Sequence, residues 1–285
     1  MKSLIKKILE FFNFTIARKI NGTYFKIPIL GSLGFSNLSV NEKWMIDVLK
    51  IILQIDSVKF IDVGANIGQT LLKLKSIDKN IEYIGFEPNP NCIFYLRTLI
   101  KKNSIKNVVL VPIGISTKNE LGELNFYIEN YTDSSASILE NFRENKILRK
   151  EFISLFDVKN IKNKIDFNDI SFLKVDVEGA ELEVIESFKD EIKNHNPFIL
   201  LEILPIYNIK ENPNRSERQN KLLSILKNLH YSAFRIIKTK EILLSLKEID
   251  RIEVHSNLNH CDYIFVPIIK LNEFKSLANN LLSSN

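Results

Sequence analysis

The chain has 285 residues, with two cysteines, four histidines and a formal charge of +5 at pH 7. At 45% hydrophobic and 26% charged it is neither a disordered tail nor a membrane bundle, and Cys92 and Cys261 are too few for a disulfide scaffold or a cysteine-built zinc ribbon. The mild positive charge permits an anionic partner without demanding nucleic acid, and the length suits one large α/β domain with an appendage.

At the N-terminus Leu4, Ile5, Ile8, Leu9 and Phe12 share one face at helical spacing, with Lys2, Lys6 and Lys7 elsewhere. That pattern is an amphipathic helix with basic flanks, which either packs on the domain or lies on a membrane surface. Lys6, Lys7 and Glu10 interrupt the apolar stretch and no small-residue cleavage site follows, so no secretory signal is expected. No run reaches the roughly eighteen apolar residues of a membrane span. Residues 1–40 are read as an amphipathic, helical N-terminal extension ahead of a domain over 41–285.

From residue 58 strands and helices alternate. The pattern predicts a strand over 58–63, a helix over 69–76, a strand over 81–86, a helix over 89–102 and a strand over 108–115. Such alternation signals crossover units and a mostly parallel sheet covered on both faces. A further strand is expected over 123–129 after a Leu121-Gly122 turn. Residues 123–169 read as an insertion, polar and irregular from 130 onward. Strands return at 170–175 and 198–203, with a helix over 181–193 between them. A helix over 217–229, strands over 231–237 and 263–266, and a helix over 271–282 complete the chain. The expected fold is a doubly wound, Rossmann-like α/β sheet, in which ligands sit outside the carboxyl ends of the strands where strand order reverses.

Three segments fall at such ends. In Phe60-Ile-Asp-Val-Gly-Ala-Asn-Ile-Gly-Gln-Thr, Asp62 and Gly64 end a buried strand, Asn66 sits in the turn and Gly68 opens a helix. Gly64 leaves room for a ligand against the main chain, and the first helical turn offers unpaired amide donors. The dinucleotide fingerprint is absent because its central glycine is missing, and Asp62 would repel a pyrophosphate. A cationic or amine-bearing ligand suits the site better. In Tyr83-Ile-Gly-Phe-Glu-Pro-Asn-Pro, Glu87 ends the next strand, where an acid can accept both hydroxyls of a ribose. Pro88 stops that strand, and Asn89 or Asn91 can cap the helix after it. In Phe172-Leu-Lys-Val-Asp-Val-Glu-Gly-Ala-Glu, an apolar strand runs into Asp176 and Glu178, either of which can act as a general base or help hold a cation. Glu181 and Glu183 are sufficiently explained by favourable charge at a helix N-terminus.

Together these segments resemble the FkbM family of S-adenosylmethionine-dependent methyltransferases. The matching stretches are Asp62-Val-Gly-Ala-Asn-Ile-Gly, Glu87-Pro-Asn-Pro and Leu173-Lys-Val-Asp-Val-Glu-Gly-Ala-Glu. Val111-Pro-Ile-Gly-Ile-Ser, the pair Ser134-Ser135, Leu200-Leu-Glu-Ile and Tyr263-Ile-Phe-Val-Pro extend the likeness over about residues 40 to 268. The resemblance implies a seven-stranded methyltransferase sheet and O-methylation, commonly of a sugar or natural-product hydroxyl. It also implies that Asp62, Gly64, Asn66 and Gly68 surround the methionine end of S-adenosylmethionine, that Glu87, beside Asn89, holds the ribose, and that Ile113 and Gly114 lie near the adenine. Gly114 stands where the family more often has alanine, and Ser187 where it usually has glycine.

A sugar hydroxyl is weakly acidic, so the transfer needs a base or a metal. Asp176 and Glu178 are the candidates for the base, with His255 and His260 in reserve. Ser134 and Ser135 offer hydroxyls that can orient the acceptor. The lysine clusters at 101–102, 146–150 and 159–164 are interrupted by acids or spread on solvated faces, which argues against a nucleic-acid methyltransferase. Loss of Asp62, Glu87 or the Asp176–Glu178 pair would mark a non-catalytic cofactor-binding protein, and all four are present. The expected protein is a cytoplasmic O-methyltransferase of a sugar, glycan or glycolipid precursor, with peripheral contact at the inner membrane face through residues 1–20.

Overall fold

The computed structural model describes residues 12–39, 41–128, 132–133, 135–139, 146–208, 210, 212–239 and 241–283. The expected helix over the first residues lies outside this set, except for Phe12, which is exposed. The residues that follow are not helical. β1 (Asn13–Ile20) and β2 (Thr23–Leu30) form an antiparallel hairpin. Its Asn21-Gly22 turn has positive φ at both positions, 43° and 83°, as the right-handed twist of a two-residue hairpin requires.

α1 (Lys43–Ile55) was not anticipated from the sequence pattern, although Trp44, Val48, Leu49, Ile51 and Ile52 form its buried face. The central alternation follows as β3 (Lys59–Val63), α2 (Gln69–Ile77), β4 (Glu82–Phe86), α3 (Pro90–Asn103) and β5 (Val108–Val111). The strand expected over 108–115 breaks at Pro112, which has no N–H for a ladder. Its second part, β6 (Gly114–Ile115), joins a separate three-stranded sheet with β7 (Glu120–Phe126) and β8 (Arg149–Phe156), in the order β6-β8-β7. Two corrections follow. Leu121 and Gly122 lie inside β7 rather than in a turn before it, and the insertion contains a regular strand, β8, where irregular chain was expected.

Next come α4 (Val158–Ile161), β9 (Ile170–Val175), α5 (Glu181–Ser187), α6 (Lys189–His195) and β10 (Phe198–Glu202). The helix expected over 181–193 is thus broken at Phe188, whose ring is buried against Phe86 and Phe167. α7 (Pro213–Asn228) begins four residues earlier than expected, because Pro213 fits the first helical position. β11 (Tyr231–Lys238), β12 (Leu243–Ile249), β13 (Asp262–Pro267) and α8 (Leu271–Ser283) end the fold.

The main sheet has the order β12-β11-β13-β10-β9-β3-β4-β5. The five strands from β10 to β5 are parallel, and β13 runs antiparallel to β10 and β11. The expected seven strands are present, and β12 adds an eighth at the edge. One apolar layer contains Ile61, Phe86, Leu173, Ile185, Leu201 and Phe265; the other contains Trp44, Phe60, Leu71, Phe172, Phe198 and Phe274. The hairpin contributes Phe25, Ile27 and Ile29 to a third cluster, against Cys92, Tyr95 and Leu99 of α3. Strand order reverses at β3, which has β4 on one side and the much later strand β9 on the other, all three parallel. That crevice holds the site.

Candidate active site

A cavity of about 590 Å³ opens at the carboxyl ends of β3, β4, β9 and β10. Three backbone approaches build its floor. Gly64 and Ala65 donate to the Phe86 carbonyl at 3.0 and 3.1 Å, and the Asp176 amide donates to the Val63 carbonyl at 3.0 Å. Gly64 has φ 88°, and a Cβ added there would stand 1.9 Å from the Asp176 carbonyl oxygen. Glycine is needed at this position because the loop after β3 lies against the end of β9. Gly68, with φ 83°, does not line the cavity; its missing Cβ lets α2 pack on Leu96 and Leu99 of α3.

Glu87 lies at the end of β4 and is buried, but lines the cavity. Its Oε2 accepts the Asn66 amide at 2.7 Å and its Oε1 accepts the Asn89 amide at 2.8 Å. Burial pushes this carboxyl up to about 7, against the two amides that favour its charge. Each oxygen keeps a lone pair for a ligand hydroxyl. Asn66 lines the cavity in the left-handed region, φ 44°. Asn89 lines it and also caps α3 by accepting the Asn91 amide at 2.9 Å. Ile113 and Gly114 complete this wall, with Leu155 Cδ2 2.6 Å from where a Cβ on Gly114 would stand.

Asp62 does not reach the ligand space. It is fully buried, accepts from the Tyr83 hydroxyl at 2.7 Å and lies 3.4 Å from Lys174 Nζ. The first-loop aspartate therefore anchors a lysine that does line the cavity. Lys174 also reaches Asp176 Oδ2 at 3.2 Å. Burial opposes its ammonium, but Asp176 and Asp62 outweigh that cost and hold its pKa above the usual range. Sequence reading passed over Lys174 because a lysine inside an apolar strand looks like an edge residue. Its i, i+2 relation to Asp176 and its register opposite Asp62 are the signals that would have found it.

Asp176 and Glu178 both line the cavity. Glu178 adopts φ 53°, and its carbonyl accepts the Ser137 hydroxyl at 2.7 Å, which ties the insertion to the loop after β9. Ser134 lies outside the described residues. Ser135 does not line the cavity; its amide and hydroxyl turn back to Asp133 Oδ1 at 2.8 and 2.5 Å. Thr132 and Asp133 occupy the cavity wall instead. Glu181 is buried and accepts the Gly179 amide at 2.8 Å, so it locks its own loop, and burial pushes its carboxyl up to about 7. His255 Nε2 lies 3.5 Å from the Tyr263 hydroxyl with the His260 ring beside it, and neither histidine lines the cavity.

Three acids of the lining carry no mark in the sequence pattern: Glu42, Asp133 and Glu202. Glu42 is paired with Lys73 at 2.7 Å, and although burial opposes it, that pair leaves its carboxyl lowered. With Glu87, Asp176 and Glu178 they give a predominantly acidic cavity whose one lining cation is Lys174 among the described residues. Such a lining fits S-adenosylmethionine, which carries a sulfonium and an ammonium, better than a pyrophosphate ligand. Among the described residues no His, Cys, Asp and Glu group is arranged to hold a metal ion, and no helix is long and apolar enough to cross a membrane.

Comparison with known proteins agrees with the geometry. Residues 62–265 match the family described as Methyltransferase FkbM domain. "Methyltransferase 1" of Beauveria bassiana is 25% identical over 145 residues, which cover 46% of this chain and 58% of that protein's length. Among solved structures, a Methyltransferase FkbM from Methylobacillus flagellatus aligns over 74% of this chain and 43% of its own, with 16% identity and a TM-score of 0.45. A SAM-dependent O-methyltransferase from Thermotoga maritima aligns over 88% and 76%, with 12% identity and a TM-score of 0.41. The match over residues 62–265, carried on the loops that build the cavity, shows that the chain belongs to the FkbM family of S-adenosylmethionine-dependent methyltransferases.

Proposed function

We propose that the protein transfers a methyl group to a hydroxyl of a sugar, glycan or glycolipid precursor. One observation carries the reading: Glu87, ready to accept ribose hydroxyls, and the Asp176–Glu178 loop open into one cavity across the Gly64 turn. When bound, S-adenosylmethionine supplies an electrophilic methyl on a cationic sulfur. Gly64, Asn66, Glu87 and Asn89 hold the cofactor, and Ile113 and Gly114 flank its base. Asp62 supports this arrangement indirectly, by fixing Lys174.

On the acceptor side, Asp176 and Glu178 accept hydrogen bonds from a hydroxyl and orient it, and alignment of this kind is usually the larger part of catalysis for such a transfer. Thr132 offers a further hydroxyl partner from the insertion. Acidic residues at the mouth favour a neutral or amine-bearing saccharide and disfavour a polyphosphate chain, which also argues against nucleic acid. Residues 1–20 would bring the enzyme to a membrane where lipid-linked glycans are built. Vesicle co-sedimentation tests this last point on the part ahead of the hairpin: loss of binding to anionic vesicles on deleting residues 1–11 supports it, and equal binding sinks it.

The cofactor is tested by calorimetric titration with S-adenosylhomocysteine, with NAD alongside. The expected result is S-adenosylhomocysteine binding that weakens about 100-fold in Glu87→Ala, since a hydrogen bond to a charged group contributes about 1.5–3 kcal/mol. Equal affinity in the variant would remove Glu87 from the ribose site. A radiolabelled methyl-transfer screen over neutral and phosphorylated sugars then tests the acceptor class, and transfer to phosphorylated sugars alone would overturn it.

A further inference from the structure

Glu202, Asp176 and Asp262 form a row across three adjacent strands at the carboxyl edge of the sheet. Glu202 of β10 is register partner to Asp262 of β13, and the β10–β9 register, Leu201 opposite Val175, brings the next residue on each strand, Glu202 and Asp176, side by side. Two lysines serve this row, one at each end. Lys174 lies 3.2 Å from Asp176, and Lys238 pairs with Asp262 while its ammonium also sits 3.9 Å above the Trp44 ring. The carboxyl in the middle has no side-chain hydrogen bond or ion pair among the described residues, is half-buried, and lines the cavity. Glu178 and Glu42 face it from the β9 loop and the turn before α1, and the Cys261 thiol lies near it just before β13.

We infer that Glu202 is the residue that takes the proton from the acceptor hydroxyl, and that the positive charge of the loaded cofactor prepares it by displacing its own proton. The inference rests on the methyltransferase reading. In the transfer, an oxygen lone pair of the acceptor bonds the methyl carbon, the carbon–sulfur pair passes to sulfur and cancels its charge, and the O–H proton passes to the Glu202 carboxylate. Asp176 and Asp262 are not equivalent choices, because each already has an ammonium against it. Without ligand, the Asp176 charge, burial and the Asp262 charge together hold the Glu202 carboxyl well above the usual carboxylate range. A carboxyl held there binds its proton more tightly than an ordinary glutamate, and a cation beside it favours the carboxylate that can accept the acceptor's proton. Arrival of the methyl donor thus biases the site toward deprotonation.

Calorimetry with two defined probes tests this without an acceptor. S-adenosylmethionine is cationic at sulfur and S-adenosylhomocysteine is not, so titrations in buffers of different ionisation enthalpy at neutral pH report the protons released by each. Wild type should release more protons with S-adenosylmethionine. Its affinity relative to S-adenosylhomocysteine should rise about tenfold with increasing pH, as expected when an opposite charge shifts a carboxyl by a unit or more. In Glu202→Gln that excess release and that pH dependence should be reduced to the ligand's own share, with S-adenosylhomocysteine affinity within about threefold of wild type, because an isosteric amide leaves the rest of the cavity intact. Asp176→Asn should move the dependence to lower pH, since it removes the largest charge acting on Glu202. Binding of both probes with no excess proton release, or an excess unchanged in Glu202→Gln, would overturn the inference. Failure of wild type to bind either probe would instead defeat the methyltransferase reading beneath it.

Discussion

The two halves of the cavity are built on different principles. The half at β3 and β4 is made of backbone: amides of Gly64, Ala65 and Asn66 held by a carbonyl and by Glu87, with one glycine that has no room for a side chain. The half at β9 and β10 is made of side-chain charge, and its row of carboxylates continues behind the cavity to Asp262 of β13, with a lysine at each end of the row. The contrast teaches where precision and adjustability lie. A fixed cofactor can be read by a rigid main chain, whereas proton transfer needs groups whose charge state can change.

The largest expected effect breaks the charged half. Lys174→Met leaves Asp62 and Asp176 without their cation, and removing one partner of a buried pair costs about 3–5 kcal/mol. Chemical denaturation should therefore show a stability loss near that size, and a loss under about 1 kcal/mol would mean that Lys174 only decorates the cavity. Next, Gly64→Ala attacks the backbone half. Its Cβ meets a main-chain oxygen that cannot step aside, so about 3 kcal/mol of stability should be lost together with S-adenosylhomocysteine binding. Unchanged binding would show that the loop adapts.

A third prediction sharpens the border between the halves, where Glu181 closes the loop after β9. Its folded carboxyl is raised to about 7, above the unfolded value. The folded chain therefore holds a proton that the unfolded chain releases, and the associated stability is present at acid pH and lost as pH rises through about 7. Thermal unfolding of wild type should weaken between about pH 5 and pH 8, and Glu181→Gln should remove about 2–3 kcal/mol of that dependence. An identical slope in the variant would assign the dependence to other raised carboxyls, among them Glu87, Glu202 and Asp262. The smallest effect concerns support of the backbone half from outside. Tyr95 donates to the Pro28 carbonyl at 3.0 Å and receives Asn37 Nδ2 at 3.2 Å, so Tyr95→Phe should cost about 1 kcal/mol and weaken S-adenosylhomocysteine binding less than threefold.

The same contrast explains what could be read in the sequence. Backbone-built features leave local marks: the glycine of the first loop, the acid before Pro88 and the alternation from residue 58 all lie within short windows. The positions of Gly64, Asn66 and Glu87 in the cavity follow from those marks. The charged half is assembled from Glu42, Lys174, Asp176, Glu202, Lys238 and Asp262, residues spread over most of the chain, and only strand register brings them together. Glu202 belongs to a matching stretch, Leu200-Leu-Glu-Ile, but nothing in that stretch marks it as a site residue. Asp62 was misread in the other direction. Its local context pointed to the ligand, while the alternation of side chains along β3 turns it toward Tyr83 and Lys174. The hairpin carries a local signal in Asn21-Gly22, in a stretch that follows apolar residues at helical spacing.

That hairpin has a consequence for the enzyme as a mechanical object. Family likeness begins at residue 62, yet Asn37, which follows the hairpin, donates to the Ile67 carbonyl at 2.8 Å, inside the first glycine loop. Phe25, Ile27 and Ile29 press on α3 behind the same loop. The segment shared with relatives is therefore not the segment that folds as a unit, and excising residues 62–265 would strip a brace from the cofactor turn. Variation in residues 13–39 gives this protein a way to stiffen or relax methyl-donor binding while every residue of the shared motif stays the same.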